Sequence, residues 1–323
     1  MKRLVACALV LVSATVIAGC LPDAPGGKAA SPVSNIPMAD PFVLKMGNTY
    51  YAFISNYLGP TRNVPVLEST DPMHRWRERG DVLPDLGRWA VEGNTWAPGV
   101  LQRDSEFVLF YTAHSAATGR QCIGRAKSNG VAGPYVDNRD GPLICQVGQG
   151  GSIDPAPFVA PGGVPYLIWK SEGVIGRAPT KFWSQQLTSN GASLVDGTRV
   201  KLLQTEQPWE GSVIENPAMT RAGGATWLFY SANIWSSANY ATGVARCAGP
   251  AGPCSRVYNN PILGNRGAAI GPGAPTFFRR PDGTLMLAFS AWTYPLVGYE
   301  SGGERRLHAL KLTFKKNGLP KVG

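Results

Sequence analysis

The sequence predicts an all-β chain folded as a five-bladed β-propeller, and three observations carry that expectation. Gly 39 and Pro 27 together make up one residue in five of the 323, a density of turn formers that suits short strands rather than helices. The Trp, Tyr and Phe residues gather in apolar runs of strand length, such as Phe107-Val108-Leu109-Phe110-Tyr111. Those runs recur with a period near 60 residues. With 44% hydrophobic and 16% charged residues, the chain has ample material for a core and no signature of disorder. Beyond the N-terminus no apolar stretch of about 20 residues exists, so no membrane-spanning helix is expected in the mature chain.

Five units share one layout: a small or acidic residue, Pro, an apolar strand, a turn, then an aromatic strand. The first runs from Asp40-Pro41 through Met46-Gly47-Asn48 to Tyr50-Tyr51-Ala52-Phe53. The second runs from Ala97-Pro98 through Arg103-Asp104-Ser105 to Phe107–Tyr111. Asp154-Pro155 leads through Pro161-Gly162-Gly163 to Tyr166-Leu167-Ile168-Trp169 in the third. Asn216-Pro217 leads through Ala222-Gly223-Gly224 to Trp227-Leu228-Phe229-Tyr230 in the fourth. The fifth runs from Ala274-Pro275 through Pro281-Asp282-Gly283 to Leu285-Met286-Leu287-Ala288-Phe289. Successive prolines are separated by 57, 57, 62 and 58 residues, and the turn chemistry suits tight hairpins. Such a period leaves room for about four short strands per unit, longer than solenoid repeats of roughly 20–47 residues, and radial stacking buries both faces of each sheet. Proline at the start of an inner strand removes no ladder hydrogen bond.

The N-terminus reads as an address. Lys2 and Arg3 precede an apolar stretch, Leu4 to Val16, and Ile17-Ala18-Gly19-Cys20 resembles a bacterial lipobox with lipid carried on Cys20. Residues 1–19 are thus expected to be a lipoprotein-type signal peptide, 20–35 a flexible tether and 36–323 the propeller. The implied localisation is extracytoplasmic, either membrane-anchored through the lipid or secreted. Removing Lys2 and Arg3 takes the net charge from +10 to +8, and no basic run of five to eight residues marks a nucleic-acid partner. With Cys7 in the signal and Cys20 lipidated, Cys122, Cys145, Cys247 and Cys254 remain. They allow three pairings, of which the local one, Cys122–Cys145 with Cys247–Cys254, is preferred over zinc because no Cys-x-x-Cys pair exists.

In a propeller the start of each inner strand points toward the axis, so equivalent residues of different blades meet. Three blades bring a carboxylate there: Asp40, Asp154, and Glu215 just before Asn216-Pro217. Converging acids push one another's protonation apart, the condition that general acid and base roles in glycoside hydrolysis require.

The motifs Ala39-Asp40-Pro41-Phe42, Thr95-Trp96-Ala97-Pro98, Ser152-Ile153-Asp154-Pro155 and Ile214-Glu215-Asn216-Pro217, in this order and spacing, resemble glycoside hydrolase family 43. That family includes arabinanases, arabinofuranosidases and xylosidases. The resemblance implies an inverting mechanism with Asp40 as general base, Glu215 as general acid and Asp154 tuning and orienting the acid. Trp96 and Trp235 are candidates for sugar stacking. Arg305, rather than its neighbour Arg306, matches an active-site arginine of some members. Many members hold an axial calcium through a histidine in Gly-Pro-Gly-His. This chain reads Gly271-Pro272-Gly273-Ala274, so no cofactor is expected for the chemistry and the metal stays in doubt.

The expected function is an exported glycosidase acting on arabinofuranose-containing polysaccharide. The long stretches Ser171–Gln207 and Ser236–Gly271 are expected to shape the cleft and favour exo action. A β-xylosidase or another propeller glycosidase is the alternative, although the Trp-x-Asn-Asp-Pro and Glu-Cys-Pro motifs of fructan-hydrolysing propellers are poorly matched. An idle, glycan-binding surface lipoprotein is the alternative of a different class.

Overall fold

The computed structural model describes residues 30–56 and 62–323. The signal segment, Cys20 and most of the expected tether lie outside the described residues. The first strand is β1 (Pro32–Pro37). Blade one follows as β2 (Phe42–Met46), β3 (Thr49–Phe53), β4 (Pro65–Ser69) and β5 (Arg77–Asp81). Blade two comprises β6 (Ala90–Arg103), β7 (Glu106–Ser115) and β8 (Arg120–Ser128). Blade three comprises β9 (Ser152–Val159), β10 (Pro165–Ser171), β11 (Lys181–Gln186) and β12 (Val200–Gln204). Blade four comprises β13 (Ile214–Ala222), β14 (Ala225–Ala232), β15 (Ala241–Cys247) and β16 (Cys254–Arg256). Blade five comprises β17 (Ala269–Arg279), β18 (Leu285–Thr293) and β19 (Arg305–Phe314), with β20 (Pro320–Val322) pairing the end of β19. The all-β five-bladed propeller read from the repeat is therefore the observed fold.

Three details differ from the sequence reading. The outer strand of blade five is β1, antiparallel to β19 with Pro32 opposite His308 and Pro37 opposite Arg306. Residues 32–35, expected in the tether, are thus strand. Their pattern was unreadable because an outermost strand buries little: Val33 is its one buried apolar residue. In blade two the fourth position is held only by bridges, Lys127 with Val136 and Ile123 with Ile144. The stretches Ser171–Gln207 and Ser236–Gly271 are not inserts, since they carry the outer strands of their blades, β11 and β12 in the first and β15 and β16 in the second.

The hydrophobic core is divided into five clusters, each wedged between two adjacent blades. Leu101, Phe110, Leu167 and Trp169 fill the space between blades two and three, and Trp227, Phe229, Leu287 and Phe289 that between four and five. This is why the second strand of each unit reads as an unbroken apolar run: both its faces are covered. Burying each such side chain stabilises the fold by about 1.5–3 kcal/mol. Both expected disulfides form, Cys122–Cys145 across 23 positions and Cys247–Cys254 across 7.

Candidate active site

The same backbone device recurs in every blade. Asp40, Ala97, Asp154, Asn216 and Ala274, each directly before the repeat proline, adopt left-handed φ values of 48°, 42°, 56°, 47° and 50°. L-residues adopt this conformation at a cost, and in blades two to five it coincides with a bulge in the pairing of the first two strands. Cross-blade hydrogen bonds hold it in place. Ser55 Oγ accepts from the Ala97 N–H at 2.9 Å, Thr112 Oγ1 from Asp154 at 3.2 Å and Ser231 Oγ from Ala274 at 2.7 Å. At the junction of blades three and four the acceptor is instead Asp154 Oδ2, 2.8 Å from the Asn216 N–H.

In this register Asn216, not Glu215, is the equivalent of Asp40 and Asp154. Glu215 stands one position earlier, with Trp96 and Ile153 as its counterparts in blades two and three. All of these residues line one axial cavity of about 580 Å³, together with Lys170, Glu172, Trp235, Tyr299 and Arg305. A smaller cavity of about 200 Å³, lined by all five repeat prolines, also lies on the axis.

Asp40 is held at both oxygens. Arg305 Nη1 donates to Oδ1 at 3.1 Å and Ser55 Oγ to Oδ2 at 2.7 Å. Arg305 is itself locked by a 3.1 Å bond to the Tyr299 hydroxyl and by the rings of Trp235, Tyr299 and Trp292, 5.0–5.8 Å from its guanidinium. Arg306 points the other way, onto Glu304, as strand alternation requires. Trp235 is 40% exposed, stacks on Trp292 and lines the cavity.

Asp154 is buried, and burial raises its carboxyl well above the usual range. The Lys170 ammonium opposes this, the Glu215 charge reinforces it, the Asn216 N–H opposes it and Asp40 reinforces it. Glu215 Oε1 lies 2.7 Å from the Tyr240 hydroxyl and Oε2 lies 3.0 Å from Lys170 Nζ. Tyr240 reaches this point over Gly273, where any Cβ would collide with its ring.

All the sequence-predicted residues, Asp40, Trp96, Asp154, Glu215, Trp235 and Arg305, are brought together at this cavity. Lys170, Glu172, Tyr240 and Tyr299 were missed. Lys170 stands out once the strands are paired: opposite the residue preceding the left-handed one, the other blades carry Ser55, Thr112, Ser231 and Ser290. Tyr240 and Tyr299 had none. His74, His114 and His308 do not line the cavity. An axial calcium does not fit these residues. Ala274 offers no ligand, the carboxylates already face the cations Lys170 and Arg305, and among the described residues no three His, Cys, Asp or Glu side chains are placed to hold a metal ion.

The sequence profile of glycosyl hydrolases family 43 matches residues 29–320. The chain belongs to glycosyl hydrolase family 43. Within the family it is similar to "Extracellular endo-alpha-(1->5)-L-arabinanase 1" of Bacillus subtilis (strain 168), 26% identical over 217 residues, which are 64% of this chain and 63% of that protein. The match thus spans under two thirds of that relative. A thermostable family-43 glycoside hydrolase superposes with a TM-score of 0.80 at 28% identity, covering 91% of this chain and 96% of the other. An endo-1,4-beta-xylanase from Bacteroides thetaiotaomicron VPI-5482 does so with a TM-score of 0.75 at 26% identity, covering 89% and 94%.

Proposed function

We propose that this family 43 protein is an exported glycoside hydrolase that cleaves arabinofuranose-containing polysaccharide with inversion, as an arabinanase or exo-arabinofuranosidase. The observation that carries the reading is the convergence of Asp40, Asp154 and Glu215 on one cavity walled by Trp96 and Trp235. Asp40, its oxygens fixed by Arg305 and Ser55, takes a proton from the attacking water. Glu215 gives a proton to the departing glycosidic oxygen, and Asp154, buried beneath, acts on Glu215 through its charge and holds the Asn216 backbone. The aromatic faces supply sugar stacking. Likeness to an arabinanase supports the arabinose reading, and likeness to a xylanase makes xylan the competing substrate. Export rests on residues 1–20, with Cys20 as the lipid-bearing residue and the membrane reached only through that lipid.

The test is sugar release from arabinan, arabinoxylan, xylan, levan and aryl glycosides. Release of arabinose or arabino-oligosaccharides is expected, and release of xylose products alone replaces the substrate. Binding of one polymer without turnover returns the glycan-binding alternative. Glu215→Gln is expected to lose about 10²–10⁴-fold on the polysaccharide while largely sparing aryl glycosides with good leaving groups. Equal losses on both remove Glu215 as the acid.

A further inference from the structure

Lys170 breaks a pattern that the other four blades keep. Where Ser55, Thr112, Ser231 and Ser290 place a hydroxyl opposite the residue that precedes the left-handed one, blade three places the ammonium of Lys170, on β10. It is almost fully buried, 3.0 Å from Glu215 Oε2 and 2.8 Å from Glu172 Oε2. A cation in direct contact with the proposed acid is an odd companion, because it favours the carboxylate over the proton-bearing form that must do the work.

We propose that Lys170 and Glu172 form a counter-ion pair that fixes the transferable proton of Glu215 on Oε1 and sets the pH at which that proton is lost. The proposal rests on Glu215 being the general acid. An ammonium has donors and no acceptor, so Oε2, facing Lys170, remains an acceptor. Oε1 faces a hydroxyl that both donates and accepts: Tyr240, whose oxygen is also 2.9 Å from Asn216 Oδ1. With the proton on Oε1 and no substrate bound, Tyr240 accepts it and turns its own hydrogen to Asn216; a glycosidic oxygen in the cavity takes over as the acceptor of that proton. With Glu215 ionised, Tyr240 donates to Oε1. Burial, and then the Glu215 charge, hold the phenol well above its ordinary range, so it stays a neutral hydroxyl through the cycle.

Glu172 supplies the balance. Burial alone would pull the Lys170 ammonium down, but Glu215, Glu172 and Asp154 together leave it above its ordinary value and permanently charged. Part of that charge is met by Glu172, 2.8 Å away, which weakens the pull of Lys170 on Glu215. When the glycosidic C–O bond breaks, its electron pair stays with the leaving oxygen and the Oε1 proton moves there. The new carboxylate is met by Lys170, while the proton of the attacking water goes to Asp40; between turnovers solvent takes that proton from Asp40 and returns one to Glu215 Oε1. The remaining charged neighbours, Asp154 from β9 and Asp40 with its Arg305, are unchanged in the variants below.

The test is the pH profile of kcat and kcat/KM on debranched arabinan. Glu172→Gln keeps a hydrogen-bonding partner for Lys170 but removes the anion. Lys170 then grips Glu215 alone, and the alkaline limb moves to lower pH by about one unit. Lys170→Met moves the same limb to higher pH. Movement in opposite directions is the signature that loosened packing does not give. An unchanged limb in folded Glu172→Gln overturns the proposal, even if Lys170→Met fails to fold. If Glu215→Gln shows the leaving-group dependence of an acid while that limb stays put, only the counter-ion pair falls. If Glu215→Gln lacks that dependence, the assignment of the acid itself is at fault.

Discussion

His308 makes the fold sensitive to acid at its point of closure. It is fully buried on β19, opposite Pro32 of β1, and stacks on Phe289 with ring centroids 5.5 Å apart. Neither ring nitrogen makes a well-formed hydrogen bond, and burial pushes the imidazole from 6.5 down to about 4, with the backbone at Ser31 and Ala30 only partly opposing. The folded protein therefore holds His308 neutral where the unfolded chain protonates it. Stability from this group is complete above pH 6.5 and is lost as pH falls toward 4. Linkage gives a loss of roughly 2–3 kcal/mol at pH 4.5. With a urea m value near 3 kcal/mol/M, the unfolding midpoint drops by roughly 0.8 M between pH 7.5 and pH 4.5 from this residue. His308→Phe keeps the ring stack and cannot titrate, so its midpoint should fall by that much less over the same interval. Equal falls in the wild-type protein and the variant would refute the reasoning.

Two further outcomes follow from named contacts. Arg305→Met removes one of the two donors that fix Asp40 and the cation at the centre of the aromatic cluster. It should lower kcat by about 10²-fold in steady-state assays, and an unchanged kcat would show that Asp40 needs no such clamp. Replacing Cys122 and Cys145 by Ala should cost about 3.4 kcal/mol of unfolding free energy, and replacing Cys247 and Cys254 about 2.4 kcal/mol, because the shorter loop restrains the unfolded chain less. Chemical denaturation that ranks the two pairs in reverse would contradict the loop-closure account.

The blades were legible because each needs the same parts: a proline where no ladder bond is lost, a turn, and a strand covered on both faces. The acids were legible for the same reason, since Asp40 and Asp154 occupy one repeated position. Glu215 shows where that logic thins. It lies one residue off the repeated position and reaches the cavity beside a bulge, a geometry that Asn216-Pro217 marks only indirectly. Lys170 stands at a position whose constancy, a hydroxyl, becomes visible only once strands are paired. Tyr240 comes from a loop 25 positions beyond Glu215, and nothing in its local sequence points there. β1 escaped notice because one buried valine makes no pattern.

The closure of the ring has a consequence for how activity arises. Asp40 follows β1 by three residues, and the arginine that clamps it begins β19, 265 positions away. The proposed base is therefore assembled by the meeting of the two ends of the fold. A chain with four finished blades and its last seam open would retain most of its core and have no oriented base. The proposed turnover would then report completion of the circle, and damage confined to the seam, by a protease or by acid at His308, would abolish it before the rest of the fold gives way.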